Sequence, residues 1–141
     1  MSTVELEDAI ADYYKTLVAV VSGDAEPIIR SYSQRDDVTL ANPWGPPVRG
    51  WAQVRDAVTA AATHFSEGSG TTERLTTVTA PGLAYIVEIE RFRAKVDGDE
   101  HHRPVELRAT TVFRLEGDGW KVVHRHADPI TTPPPPGTAL P

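Results

Sequence analysis

Three groups of side chains in this chain have types and spacing suited to chemistry. Glu88 and Glu90 stand two apart in the stretch Ile86–Arg91. Residues two apart on a strand share a face, and two carboxylates turned into a pocket are general-acid and general-base candidates. Arg125 stands between His124 and His126. An inward guanidinium is costly unless paired, and a ligand carboxylate would satisfy it with a two-pronged contact. The plainer alternative is an internal pair with Asp128, Glu88 or Glu90. His124 and His126 share a strand face with Asp128 and could hold a metal ion. Beyond the loose possibility of His101 and His102, nothing completes that set, so neither metal nor cofactor is expected. Tyr13 and Tyr14 are adjacent on a helical stretch and cannot face the same way. One of them is a hydrogen-bonding candidate for a pocket, and we place Tyr14 there.

Which way these groups point depends on strand parity. Val105, Leu107, Ala109, Thr111, Phe113 and Leu115 alternate with Glu106, Arg108, Thr110 and Arg114, the period-two pattern of a half-buried strand. Gly117-Asp118-Gly119 turns the chain into Trp120–Asp128. A two-residue loop would set Thr111 opposite His124, with both histidines on the core side. A three-residue loop with Gly119 left-handed sets Thr111 opposite Arg125 instead, and the glycine at the third loop position favours it. Val123, Arg125 and Ala127 then point inward, while Trp120, Val122, His124 and His126 point outward. For Glu88 and Glu90 the alternation with Val87 and Ile89 predicts the apolar pair inside and the acids outside, as partners for Arg108 and Arg114. The opposite parity would make both acids pocket groups and favour an enzyme.

The totals narrow the function classes. A chain of 141 residues supports one domain with a real core. The net charge of −6 is scattered, with no basic stripe to track phosphates, so nucleic acid is not an expected partner. There is no cysteine, hence no disulfide frame and no thiolate chemistry, in keeping with a reducing cytoplasm. The first residues are acidic and unlike a secretory signal, and the longest apolar run, Leu17–Val21, is far too short for a membrane.

Several elements must position the candidates. Ser2-Thr-Val-Glu5 reads as a capping box ahead of a helix from about Val4 to Ser22, with Leu6, Ile10, Tyr13, Tyr14, Leu17 and Val21 at helical spacing. Pro27 in a first turn opens a shorter helix with Ile28, Ile29 and Tyr32. Val38–Ala41 is a short strand. Asn42-Pro-Trp-Gly-Pro-Pro47 is an irregular loop holding a large aromatic, Trp44. Trp51, Val54, Val58, Ala61, Ala62 and Phe65 make a third amphipathic helix, finished by Ser66–Gly70. Strands follow at Arg74–Ala80 and Leu83–Val96, then the pair already described. Residues 131–141 form a proline-rich tail after a domain of residues 1–130. Helices followed by consecutive strands predict an α+β fold, in which a curled antiparallel sheet and three helices leave a pocket between them.

Helix–Gly-Asp–helix, Val-Thr-Leu-Ala-Asn-Pro-Trp-Gly, Val-Arg-Gly and the closing Asp-Gly-Trp-Lys-Val-Val-His-Arg-His resemble the nuclear transport factor 2-like superfamily, nearest its SnoaL-like branch, over roughly Leu6–Pro129. The resemblance implies a cone-shaped α+β fold with one deep pocket, often as a dimer. Its members include ketosteroid isomerase, polyketide cyclases, dehydratases, and the non-catalytic association domain of calcium/calmodulin-dependent protein kinase II. The isomerase and cyclase acids do not carry over. Asn42 stands at the isomerase base, Thr111 near its oxyanion-hole acid, and Ala127 at the cyclase aspartate. No catalytic residue is therefore assigned. The expected pocket is lined by Tyr14, Asn42, Trp44, Thr111, Phe113 and Arg125, and takes a small organic ligand such as a carboxylate, unless the chain is an oligomerisation module. The alternative is an isomerase, dehydratase or cyclase acting on a small hydrophobic carbonyl compound. A homodimer through the outer sheet face, using Trp120, His124 and His126, is expected as well.

Overall fold

A computed structural model describes residues 3–117 and 119–130. Ser2 of the capping box, Asp118 and the tail from Thr131 onward lie outside the described residues.

Helix α1 spans Thr3–Val20 and buries one stripe, Leu6, Ile10, Tyr13 and Leu17, continued by Val21 beyond its end. Gly23 then takes φ +95°, a left-handed turn that ends the run without strain. Helix α2, Glu26–Ser31, carries its proline in the first turn, and helix α3, Trp51–Ala62, buries Val54, Val58, Ala61 and Ala62. Among the described residues no helix is long and apolar enough to cross a membrane.

The strands are β1 (Thr39–Ala41), β2 (Val48–Arg49), β3 (Phe65–Ala80), β4 (Leu83–Val96), β5 (His102–Glu116) and β6 (Gly119–Pro129). They form one curved, unclosed sheet in the order β2-β1-β6-β5-β4-β3. The pairing is antiparallel except where β1 runs parallel to β6, with Leu40 opposite Arg125. The three helices close the concave side, and the main core lies between them and the sheet. The α+β class is thus as expected from the element order.

The third helix is shorter than its apolar spacing predicted. Phe65 and Ser66–Gly70 belong to β3, whose early part is irregular, with a register shift between Ser66 and Ser69. Gly70 sits so close to β4 that an added Cβ would lie 2.3 Å from the Arg91 carbonyl oxygen.

The β5–β6 hairpin reaches the expected register by another route. Glu116 pairs with Gly119, so the loop has two residues, and Gly119 opens β6 at φ +148° rather than closing the turn. Left alone, that loop would have set Thr111 opposite His124. A bulge intervenes: Phe113 pairs with Val122 and Val112 with His124, leaving Val123 over. Beyond the bulge Thr111 faces Arg125. Before it, the parity is the reverse of the expected one. Val122 is buried opposite Phe113, and Trp120 packs, half-buried, against the core opposite Leu115. Trp120 therefore leaves the outer face, where His124 and His126 remain.

The parity of β4 also differs from expectation. Glu88 and Glu90 are both 0% exposed, on the inward face with Ala84, Ile86, Phe92 and Ala94. Val87 and Ile89 lie on the outer face. Arg108 and Arg114, the partners expected for those acids, pair with Asp128 and with Asp37 and Glu116 instead.

Candidate functional site

The concave face gathers polar groups from four elements. β4 supplies Glu88 and Glu90, β5 supplies Thr111, β6 supplies Arg125 and α1 supplies Tyr13. Arg125 grips Glu90 with two parallel bonds, Nη1 to Oε2 and Nη2 to Oε1, each 2.7 Å. Its Nη1 also donates to the Tyr13 hydroxyl at 3.0 Å, and the Thr111 hydroxyl donates to the same oxygen at 3.3 Å. Arg125 is thus inward and internally paired, the plainer of its two sequence readings. Glu88 differs from all of these. Neither of its carboxyl oxygens has a hydrogen-bond partner.

The two acids occupy opposite protonation states. Burial alone would raise Glu90, but the charge of Arg125 and its two hydrogen bonds outweigh it and hold the carboxyl below its ordinary value. Glu88 has no such partner. Burial, reinforced by the neighbouring Glu90 charge, pushes it up to about 8. At neutral pH Glu90 is a carboxylate and Glu88 a neutral acid. Burial holds Tyr13 protonated as well, at about 12. With two donors on its oxygen, the phenol keeps its own proton to give.

Glu90 and Arg125 form the polar floor of a hollow otherwise walled by apolar side chains such as Leu17, Val58 and Phe92. The hollow measures about 40 Å³. That is room for roughly three waters, far below the 300–1,000 Å³ of typical ligand pockets. Asn42 and Trp44 close it on one side. The Asn42 carbonyl accepts from the Trp44 backbone N–H at 3.1 Å, fixing the loop's turn. Trp44 packs edge-on against Phe65 at 5.2 Å and remains 41% exposed.

Of the pocket residues proposed from sequence, Asn42, Trp44 and Arg125 line the hollow. Thr111 and Phe113 lie beside it, each touching Tyr13: Thr111 by its hydroxyl and Phe113 edge-on at 5.6 Å. Tyr14 does not line the hollow; it is half-buried beside Glu88, and its hydroxyl accepts from Arg74 Nε at 3.1 Å. Tyr13 is the inward one of the two, buried against Arg125, and it does not line the hollow itself. The buried stripe of α1 carried that signal, since Tyr13 continues Leu6 and Ile10 toward Leu17 at three- and four-residue steps. For Glu88 and Glu90 the signal was strand length. Carried to its end, the set containing Val87 and Ile89 continues into Arg91, Arg93 and Lys95, whereas the acids' set continues into Phe92 and Ala94. His124 accepts from or donates to the Thr39 hydroxyl at 2.7 Å, and His126 lies 3.7 Å from Asp128. Among the described residues no cluster of three or more His, Asp or Glu is placed to hold a metal ion.

Comparison with known proteins places this geometry in context. The profile of the SnoaL-like domain matches residues 6–131. No curated protein sequence matches the chain. Among solved structures, a ketosteroid isomerase-like protein from Erwinia carotovora atroseptica superposes with a TM-score of 0.75 at 16% identity, covering 92% of this chain and 96% of its own. A nuclear transport factor 2-like superfamily protein from Salmonella enterica gives 0.74 at 19% identity, covering 92% and 93%. An NTF2-like protein with a cystatin-like fold from Novosphingobium aromaticivorans gives 0.66 at 18% identity, covering 89% and 79%. At these identities the likeness is one of fold.

Proposed function

The chain belongs to the SnoaL-like domain family, and from that premise we propose that its interior takes a small neutral compound with an apolar body and one carbonyl group, and moves a proton on it. The observation that carries this reading is the inward parity of Glu88 and Glu90. A pair of carboxyls whose surroundings drive them to opposite protonation states is the usual arrangement of a base and an acid. Glu90, ionised and on the wall of the hollow, is the base. Glu88 and Tyr13 lie behind that wall, outside the lining of the hollow: Glu88 holds the compensating proton and Tyr13 braces Arg125. No described group makes a hydrogen bond to the Glu88 carboxyl, although the Tyr14 hydroxyl and Glu90 are close by, and a buried acid without a bonded partner is an exception that function can explain.

A neutral ligand fits better than the carboxylate expected from sequence. Among the described residues Arg125 is the one cation lining the hollow, and its charge is already met by Glu90. A ligand carboxylate would have to displace that acid.

The test is exchange of carbon-bound protons. Small ketones and enones incubated with the protein in deuterated buffer should lose α-protons faster than in buffer alone, followed by proton NMR. Glu90→Gln should lower that rate by about 10²- to 10⁴-fold. Binding without exchange would instead support a pocket that holds its ligand and does no chemistry. That second reading is favoured by Arg125 occupying both Glu90 oxygens. A panel that neither binds nor exchanges would refute both.

Association into a homodimer through the outer sheet face is also proposed, with altered membership. Val78 faces Tyr85, which faces Val112, and Val87 and Ile89 continue the same surface. Val78 and Tyr85 are exposed. Ion pairs of both signs, Arg91 with Glu73 and Arg108 with Asp128, rim the patch. The absence of cysteine supports a cytoplasmic setting.

A further inference from the structure

The hollow is too small for any carbonyl compound larger than a few atoms, yet only a wall of shared side chains separates it from a much larger space. On the far side of Trp44 lies a cleft of about 370 Å³, lined by Phe65, Val96, Pro104, Ile130 and others. That volume falls within the range of small-molecule sites. Trp44, Val105 and Leu107 line both spaces, so the two share a wall rather than merely lying near each other. Trp44 also borders a third recess, of about 200 Å³, beside α3. The side chain is 41% exposed and rides on the loop between β1 and β2, bordered by the cleft and by this recess.

We propose that the hollow and this cleft are the two ends of one binding site, and that its ligand is elongated: a carbonyl head beside Glu90 and Arg125, and an unbranched apolar tail along Phe65, Val96 and Ile130, with Trp44 turned aside. The inference rests on the reading of the interior as a carbonyl site and adds the length and character of what occupies it. Charge is confined to the rim of the cleft, at Arg103 and Glu106. A tail without polar groups therefore loses nothing on entering.

Straight-chain methyl ketones from propan-2-one to undecan-2-one, titrated into the full chain, test the arrangement. Each added methylene should tighten binding about fourfold, the equivalent of about 0.8 kcal/mol, until the cleft is full and affinity levels off. Nuclear Overhauser contacts should join the methyl group next to the carbonyl to Leu17 and Val58, and the terminal methyl to Ile130. Ile130 is exposed and lines only the cleft, so Ile130→Asp should fold normally. It should weaken the long ketones to the level of the short ones while leaving propan-2-one unchanged. Affinity independent of chain length would overturn the elongated site and leave the carbonyl reading intact, whereas Overhauser contacts that place both ends in the cleft would overturn both. Failure of every ketone to bind would overturn both.

Discussion

At the scale of single residues, the interior holds one ion pair that is satisfied and one acid that is not. Replacing Arg125 by Met leaves Glu90 buried without a countercharge, and we expect a loss of about 3–5 kcal/mol in urea unfolding. Adding Glu90→Leu should recover most of it, because an apolar pair of similar volume does not need the charge. Glu88 makes a second prediction. In the unfolded chain it ionises near the usual glutamate range, and in the folded protein near 8. Below the unfolded value both states hold the proton, and the acid adds no pH-dependent cost. As the pH rises from about 4 toward 8, the unfolded chain loses a proton that the folded one keeps, and stability falls by up to about 1.4 kcal/mol per pH unit. Glu88→Gln removes that slope. Parent and variant should coincide near pH 4, and the variant should be the more stable at pH 8. These residues were only partly legible in the sequence. The sequence places Arg125 inward through a three-residue loop that the hairpin does not have, and the bulge at Val123 restores the same register. Val87 and Ile89 look as much like core as Glu88 and Glu90 look like surface, and only the full length of β4 reverses that impression.

At the scale of elements, two local irregularities decide what faces inward. The bulge at Val123 lets β6 bury Trp120 and Val122 before it and Arg125 and Ala127 after it. A simple alternating pattern cannot represent a strand that changes parity partway. A three-residue loop without a bulge therefore points to the right partner for Thr111 and the wrong side for Trp120. The second irregularity is the start of β3, where Ser66-Glu-Gly-Ser-Gly70 has a composition that reads as a loop. Its glycines serve close approach instead: a Cβ at Gly70 would meet the Arg91 oxygen at 2.3 Å and Phe92 Cδ1 at 2.4 Å, with φ at +156°. Gly70→Ala should therefore part β3 from β4 at this point and cost about 1–3 kcal/mol, visible in thermal unfolding and as faster amide exchange at Arg91 and Phe92.

At the scale of the whole molecule, the order of helices and strands carried the fold, because each element has a clear period and a clear end. The β1–β6 pairing was not legible, since three residues near position 40 carry no mark of a partner more than eighty residues away. The outer face was half legible. His124 and His126 lie there, while the apolar part comes from Val78, Tyr85, Val87, Ile89 and Val112. If two copies meet on that face, Tyr85→Asp should convert a dimer to a monomer in size exclusion with light scattering, and leave the far-UV spectrum unchanged. A parent that runs as a monomer at micromolar concentration would dismiss the dimer.

The parallel contact of β1 with β6 has a consequence for synthesis. Strand β6 brings both the hydrogen-bonding edge that Thr39–Ala41 requires and the guanidinium that neutralises Glu90. On a translating ribosome, everything up to β5 emerges with that edge bare and that acid uncompensated. Helices and the β3–β5 meander can form early from neighbouring contacts, but the interior cannot lock until the last strand clears the exit tunnel. A nascent chain of this protein should wait, partly folded and in need of protection, until β6 is free to pair.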